Sequence, residues 1–352
     1  MNRISLEEVV EKQYLYCPCC HQSPLLLSKD AIQELRCDGC GSNFAVAGGI
    51  PLLVPDGDGK TAEIQKFWGA LYDDAYREHD ENTSFDEFNI LLDKLQELFT
   101  HRHHLAAVEM LPDQMKGKKI LEVGCGAGAH SALFSRLGAE MYALDLTAER
   151  VTATAVKLDM LNEGHSNFAL QGDAGALPFA DGFFDIVYSN GVLHHTPYIG
   201  RTVKEIHRVL KPGGRAVVML YAKNSFLYRC VLFPVRGILQ GGVFRNGDWL
   251  GRATEWMSSK KQSVYNPRTE AFSAHEIRVL FKDYPSVHIR KNSFVFDQVP
   301  VVGKCLGRLA GKKTGYNDGG KLVYGHPWRN ETVFELWAGQ FVGFCLNIFA
   351  TK

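Results

Sequence analysis

The sequence predicts an α/β protein: a doubly wound, mostly parallel sheet with helices on both faces, preceded by a small cysteine-rich unit. Three observations carry this. From Lys118 onward, short apolar runs alternate with stretches of helical period, which is the pattern of β-α units. The first of these runs leads into a glycine turn and a helix start, KILEVGCGAG over residues 119–128. Five of the nine cysteines fall between Cys17 and Cys40, and the other four are scattered singly.

Taken in order, residues 1–56 form the cysteine-rich unit, which ends in GGIPLLVPDGDG, a Gly/Pro/Asp cluster read as a linker. Residues 57–117 form a helical segment, because FWGALYDDAYREH and FDEFNILLDKLQELFTHRHHLAAVEML repeat apolar residues at three- and four-residue spacing. Residues 118–352 carry the sheet. KKILEV, AEMYALD, NFALQG, FDIVYSN and RAVVMLY read as strands, with helices at 129–137, 148–163 and 199–210. Gly213 and Gly214 stop the last of these helices. Residues 223–272 break the rhythm as an insert. A helix at 273–282 follows, with Ser273 as N-cap and Glu276 at the capping-box position. SVHIR is then a strand, about 291–330 a second irregular insert, and FELWAGQFVGFCLNIFATK closes the chain with the last strand.

The composition, 45% apolar and 22% charged, is that of a globular protein. No stretch reaches the roughly 18 apolar residues of a membrane span. The N-terminus carries three glutamates and no hydrophobic signal core, so a cytoplasmic location is expected, with a peripheral membrane contact left open. The zero net charge is unevenly spread. Residues 1–200 hold 15 Lys+Arg against 29 Asp+Glu, and residues 201–352 hold 24 against 10. Such polarity suits an anionic partner for the C-terminal part, or two halves that neutralise each other.

Cys17 and Cys20, sixteen residues, then Cys37 and Cys40 give C-x2-C-x16-C-x2-C. Two such knuckles supply four thiolates to one tetrahedral Zn2+, a closed and therefore structural site. Cys19 is in surplus and His21 stands just outside the pattern. The stretch RCDGCGSNFAVAGGIPLLVPD resembles the small zinc-ribbon activator proteins that partner tRNA- and protein-modifying methyltransferases, over about residues 14–56.

The glycine loop alone is ambiguous, since Gly124, Gly126 and Ala129 also fit the dinucleotide fingerprint. Three features favour S-adenosyl-L-methionine. Glu122, two residues before the first glycine, suits an amino group and a sulfonium and is awkward beside a pyrophosphate. QGDAGALPFADGFFDIVYSNGVLHHT follows the third strand, and EIHRVLKPGGRAVVML comes after it. Together residues 118–222 resemble the class I methyltransferases, particularly the ubiquinone/menaquinone-biosynthesis type. The resemblance implies a seven-stranded Rossmann-like sheet of order 3-2-1-4-5-7-6. It implies that Glu122, Gly124, Gly126 and Gly128 surround the methionine part of the cofactor. Asp145 would hold the ribose hydroxyls and Leu146 would pack on adenine. Asp173 and Ala174 would meet the adenine amino group, and Asn190 and Gly191 would line the floor beneath the sulfonium.

Methyl transfer needs the acceptor, carbon and sulfur in line and water excluded. A general base is needed only where the acceptor must lose a proton. His194 and His195, just past the fourth strand, are the candidates; the bland alternative is a histidine bonded to backbone at a helix start. Tyr72 and Tyr76 lie in the region that the resemblance folds over the cofactor. His101 and His104 share a helical face but have no evident carboxylate partner. The first insert mixes aromatic residues with Arg229, Arg236, Arg245, Arg252, Lys260, Lys261 and Arg268. It suits an anionic or lipid-like small-molecule acceptor or an anionic membrane surface. RNA or protein as acceptor, guided by the ribbon, is the second reading, and a non-catalytic binding protein on the same scaffold the third. Oligomeric state is left open.

Overall fold

The computed structural model describes residues 4–28, 33–55, 59–161, 166–245, 248–258, 263–310 and 315–352. Lys260 and Lys261 of the basic insert lie outside the described residues.

Seven strands form the core: β1 (Lys119–Val123), β2 (Glu140–Asp145), β3 (Phe168–Gly172), β4 (Phe184–Asn190), β5 (Leu210–Ala222), β6 (Ser286–Asn292) and β7 (Cys345–Thr351). They lie in the order β3-β2-β1-β4-β5-β7-β6, the one the resemblance implied. The pairs from β3 to β5 are parallel, and β7 runs antiparallel to both of its neighbours. Strands such as KILEV and FALQG are apolar without alternation because helices cover both faces. The helices that matter for the site are α1 (Gly59–Ala75), α2 (Phe85–His101), α3 (Ala129–Arg136), α4 (Ala148–Met160) and α5 (Ile199–Val209). Helix α6 (Ala274–Leu280) has the expected Ser273/Glu276 capping box.

The sheet is wider than the seven strands expected. The stretch read as a linker contains a strand, Ile50–Leu53, paired parallel with β3 through Leu52–Gln171 and Leu53–Gly172. Beyond it the ribbon strands Asn43–Ala47, Glu34–Arg36 and Leu26–Leu27 continue antiparallel. With Ala271–Phe272 beside β5, the sheet has twelve strands. The physical reason is the open edge of β3, whose unpaired backbone groups Ile50–Leu53 satisfies. The ribbon also shares the main hydrophobic core: Leu15, Leu25, Leu35 and Phe44 cluster with Phe179 and Phe184.

The first insert holds a π-type helix over Leu227–Leu239 with Pro234 inside it, a helix Trp249–Thr254 and a hairpin pairing Trp256–Ser258 with Ser263–Tyr265. The second insert, expected to be irregular, contains short helices at Gly303–Ala310 and Lys321–Tyr324. It is tied down by buried Arg102, whose Nε lies 3.0 and 3.1 Å from the Glu331 carboxylate. The same guanidinium sits 4.3 Å over the Trp328 ring. The closing stretch contains a helix not read from the sequence, α7 (Val333–Val342). His101 and His104 do not share a helical face. Helix α2 ends at His101, His103 turns left-handed at φ 49°, and His104 caps the next short helix. Among the described residues no helix is long and apolar enough to cross a membrane.

Candidate active site

A cavity of about 260 Å³ opens at the carboxyl ends of β1, β2, β3 and β4, at the point where strand order reverses and such sheets bind ligands. Glu122, Gly124, Gly126, Asp145, Leu146, Asp173, Ala174, Asn190 and Gly191 all line it. Gly128, expected with them, does not. It stands at the N-cap of α3 with φ 86°, where a Cβ would meet the Thr154 Cα at 2.8 Å, so it lets the loop pack on α4. Gly124 has φ 78° and a Cβ there would lie 2.4 Å from Val192.

The glycine loop is held from three sides. Asp145 accepts the Gly126 N–H at 3.0 Å with one carboxylate oxygen, and the Thr147 N–H and hydroxyl at 3.0 Å with the other. Thr154 donates its hydroxyl to the Gly126 carbonyl at 3.0 Å. Lys157 donates to the Ala127 carbonyl at 2.7 Å. Next along the crevice, Gln171 fixes the Leu146 carbonyl at 2.9 Å, and Asp173 accepts the Gly175 N–H at 2.8 Å.

Glu122 is buried at 3% exposure and takes a hydrogen bond from the Ser131 hydroxyl. Burial pushes its carboxyl up to about 8, Ser131 opposes the shift, and the Asp145 charge adds to it. His130, unnoticed in the sequence, packs beside it. Its Nδ1 lies 2.8 Å from the Tyr188 hydroxyl and 3.9 Å from Glu122. Burial drives His130 down to about 4, so it is neutral and offers Glu122 no countercharge. A buried acid without a cation is costly, and a cationic ligand is what would relieve it.

Helix α1 roofs the cavity with Trp68 and Tyr72, and Tyr76, just past its end, lines it too. The Arg150 guanidinium lies 4.9 Å over the Trp68 ring. Asp80 ties this roof to the loop beneath: it accepts from the Tyr72 hydroxyl at 3.1 Å and pairs with Lys157 at 2.8 Å. Leu322 and Val323 of the second insert supply another wall. Trp68, Arg150, Lys157, Leu322 and Val323 escaped the sequence reading, because none belongs to a local motif.

Of the two histidines, His195 lines the cavity and His194 does not. The His195 Nδ1 lies 3.0 Å from the Arg268 carbonyl, 3.1 Å from the Thr269 hydroxyl and 2.9 Å from the Asn266 amide nitrogen. Its Nε2 lies 3.7 Å from Glu255. Both nitrogens thus face the first insert, and burial, opposed by Glu255, lowers the pKa. His194 is buried with its ring 3.8 Å from that of Tyr221, and burial holds it well below the usual histidine range. Neither arrangement presents a poised base to the cavity.

At the ribbon, the sulfurs of Cys17, Cys20, Cys37 and Cys40 lie within 4.8 Å of one another. Cys17 and Cys40 are 3.6 Å apart, and Cys20 and Cys37 are 3.7 Å apart. Cys19 is exposed and outside the cluster.

A reversed-order sheet with a glycine loop, a buried acid at the first strand and an acid at the ends of the next two is the arrangement of the Rossmann-like methyltransferase fold. Residues 121–218 match the family model described as a methyltransferase domain. The chain is 36% identical over 110 residues to a malonyl-[acyl-carrier protein] O-methyltransferase of Pseudescherichia vulneris, covering 30% of this chain and 40% of that protein. It is 25% identical over 219 residues to a demethylmenaquinone methyltransferase of Geobacillus kaustophilus, covering 58% and 93%. Among solved structures it resembles phosphoethanolamine N-methyltransferase 2 of Haemonchus contortus in complex with S-adenosyl-L-methionine, at 15% identity and a TM-score of 0.44, over 81% of this chain and 59% of that one. The chain thus spans less than half the length of the first of these relatives.

Proposed function

We propose that the protein transfers the methyl group of S-adenosyl-L-methionine to a lipid-like or anionic small molecule. The observation that carries this is the buried Glu122 carboxyl, left without a countercharge at the inner end of a crevice whose other acids stand one strand apart. In this reading Glu122 meets the amino acid part of the cofactor, Asp145 the ribose hydroxyls and Asp173 the adenine edge. Leu146 packs on the base, Ala174 lends its backbone, and Asn190 and Gly191 form the floor. The bound cofactor supplies an activated methyl group. The chain holds it, excludes water under α1, and aligns the acceptor. No proton need move through His194 or His195 unless the acceptor carries one. For the acceptor class, support comes from relatives named for a menaquinone precursor, malonyl-acyl carrier protein and tocopherol. The basic, aromatic first insert beside His195 adds to it.

Incubating the protein with cell extract and isotopically labelled S-adenosyl-L-methionine tests the reading. Label is expected in the lipid or small-acid fraction; label confined to RNA or protein would overturn it. Replacing Asp145 by Ala is expected to weaken cofactor binding by about 1–3 kcal/mol, since ribose hydroxyls and the Gly126 amide both lose an acceptor. Unchanged affinity in calorimetric titration would remove Asp145 from the site.

The four thiolates suit a structural Zn2+. A tetrahedron with bonds of about 2.3 Å has edges of about 3.8 Å, and the two closest sulfur pairs stand at 3.6 and 3.7 Å. Metal analysis is expected to return about one zinc per chain. Cys37→Ser is expected to lower the unfolding midpoint by roughly 5 °C or more. Metal-free native protein would end this assignment.

A further inference from the structure

Helix α7 is built inside out. Its buried side carries Glu335, Ala338 and Gly339, whereas Phe334, Trp337 and Phe341 are 53%, 55% and 61% exposed. Glu335 is held within by Arg329 and by the Thr332 cap, so the inner face is satisfied by polar bonds. An amphipathic helix normally turns its aromatic stripe to the core. Here the stripe faces outward.

The stripe has neighbours of the same kind. Phe334 stacks on Phe296 at 5.8 Å, Phe296 meets Phe294 at 6.2 Å, and Phe294 meets Phe226 at the start of the π-type helix at 5.7 Å. Lys291 stitches the two elements together, donating to the carbonyls of Asn224 at 2.8 Å and Phe341 at 2.9 Å. Further along that π-type helix Leu239 is 80% exposed, as is Phe244 just after it. The helix Gly303–Ala310 packs on Phe296–Gln298 through its glycines, and it turns Leu306 and Leu309 outward. Exposed aromatic and aliphatic side chains gathered on adjoining elements mark an interaction site.

Charge selects the partner. Residues 222–247 and 298–317 contain Lys and Arg but no Asp or Glu, and Arg229, Arg236, Arg245 and Arg308 are exposed. Aromatic and aliphatic side chains flanked by such cations, with the nearby carboxylates Asp297 and Glu335 both engaged by Arg329, are the chemistry of helices lying in a lipid interface, where apolar groups enter the acyl boundary and cations meet anionic headgroups. We propose that α7, the helix Gly303–Ala310 and the π-type helix form one face that seats on a membrane carrying anionic lipid. This rests on the lipid-like acceptor reading above, since seating there would bring the enzyme to an acceptor dissolved in the bilayer.

The test is co-sedimentation of the full chain with vesicles of phosphatidylcholine alone and of phosphatidylcholine mixed with phosphatidylglycerol. The protein is expected to bind the anionic vesicles, to prefer them over the neutral ones, and to release as salt rises. The triple variant Phe334→Ser, Trp337→Ser, Phe341→Ser is expected to lose binding at least about tenfold while keeping its unfolding midpoint and its affinity for S-adenosyl-L-methionine. Wild-type protein that stays in the supernatant, or a triple variant that binds equally well, overturns the proposal. So does a wild-type dimer in light scattering that the triple variant turns into a monomer without either binding vesicles, because the face then joins two copies. Vesicle binding requires no turnover. Protein that binds vesicles but puts label only into RNA or protein would keep the face and lose the acceptor reading.

Discussion

Glu122→Gln is expected to cripple cofactor binding while making the empty protein more stable at alkaline pH. In the empty site burial raises the Glu122 carboxyl from its ordinary 4.5 to about 8. The folded chain therefore holds a proton that the unfolded chain releases between those values. Stability is lost as pH rises through that window, by an amount on the order of 5 kcal/mol once the group must ionise in the interior. A glutamine keeps the volume and still accepts from Ser131, but has no charge to bury. Above pH 8 the variant should therefore unfold at a higher temperature than the parent, with little difference near pH 4.5. A cationic ligand reverses the preference, because it favours the carboxylate. Binding S-adenosyl-L-methionine to the parent below pH 8 should therefore release close to one proton, readable by titration in buffers of different ionisation enthalpy. Affinity should climb with pH toward 8 and then level off. In the glutamine variant both the release and the climb should vanish, with affinity at pH 8 down by roughly 100-fold. A variant that binds equally well would place the ligand's cation elsewhere.

Much of this site was legible because its residues are local. The run KILEV followed by G-C-G-A-G encodes a buried strand, a turn with positive φ at Gly124 and Gly126, and a helix start, all within ten residues. Asp145 and Asp173 stand at strand ends that hydrophobic runs announce. Gly128 was placed in the right loop, but it serves the contact with Thr154 rather than the cavity. What stayed hidden is long-range. Lys157 reaches the loop from two turns along α4, and Leu322 arrives from an insert with no periodicity. Pro and Gly made Ile50–Leu53 look like a linker, yet Pro51 pairs with Val46 and only the open edge of β3 explains the strand. Helix α7 was invisible for the opposite reason: its aromatic residues have helical spacing, but the apolar residues around them run on into the last strand.

That edge strand also gives the ribbon a place in the site's construction. The chain leaves the thiolate cluster, pairs along β3 beside Gly172, and within a few residues begins the helix whose Trp68 and Tyr72 roof the cavity. The ribbon thus shares the sheet and the hydrophobic core, and it fixes where the roof starts. Its fold does not rest on the four cysteines alone, since Leu15, Leu25 and Leu35 are fully buried against the main body. Metal loss should accordingly loosen the ribbon more than the central strands.

The roof is closed from its far end by one ion pair, and breaking it is expected to cost as much as any single change outside the crevice. Lys157 and Asp80 meet at 2.8 Å with 8% and 11% of their side chains exposed. Burial lowers the pKa of the lysine, and Asp80 opposes that shift. Lys157→Met removes the donor to the Ala127 carbonyl and leaves Asp80 with only the Tyr72 hydroxyl. Asp80→Asn leaves an ammonium facing a neutral amide. Each is expected to destabilise by about 3–5 kcal/mol, the range for a buried charge that loses its partner. The pair Lys157→Met, Asp80→Leu removes both charges and should recover much of that loss in denaturant unfolding. It should not recover cofactor affinity, because neither replacement can hold the glycine loop or anchor Tyr72. Losses in the double variant that equal the sum of the single ones would mean that the two side chains act independently, and the roof would then need another anchor.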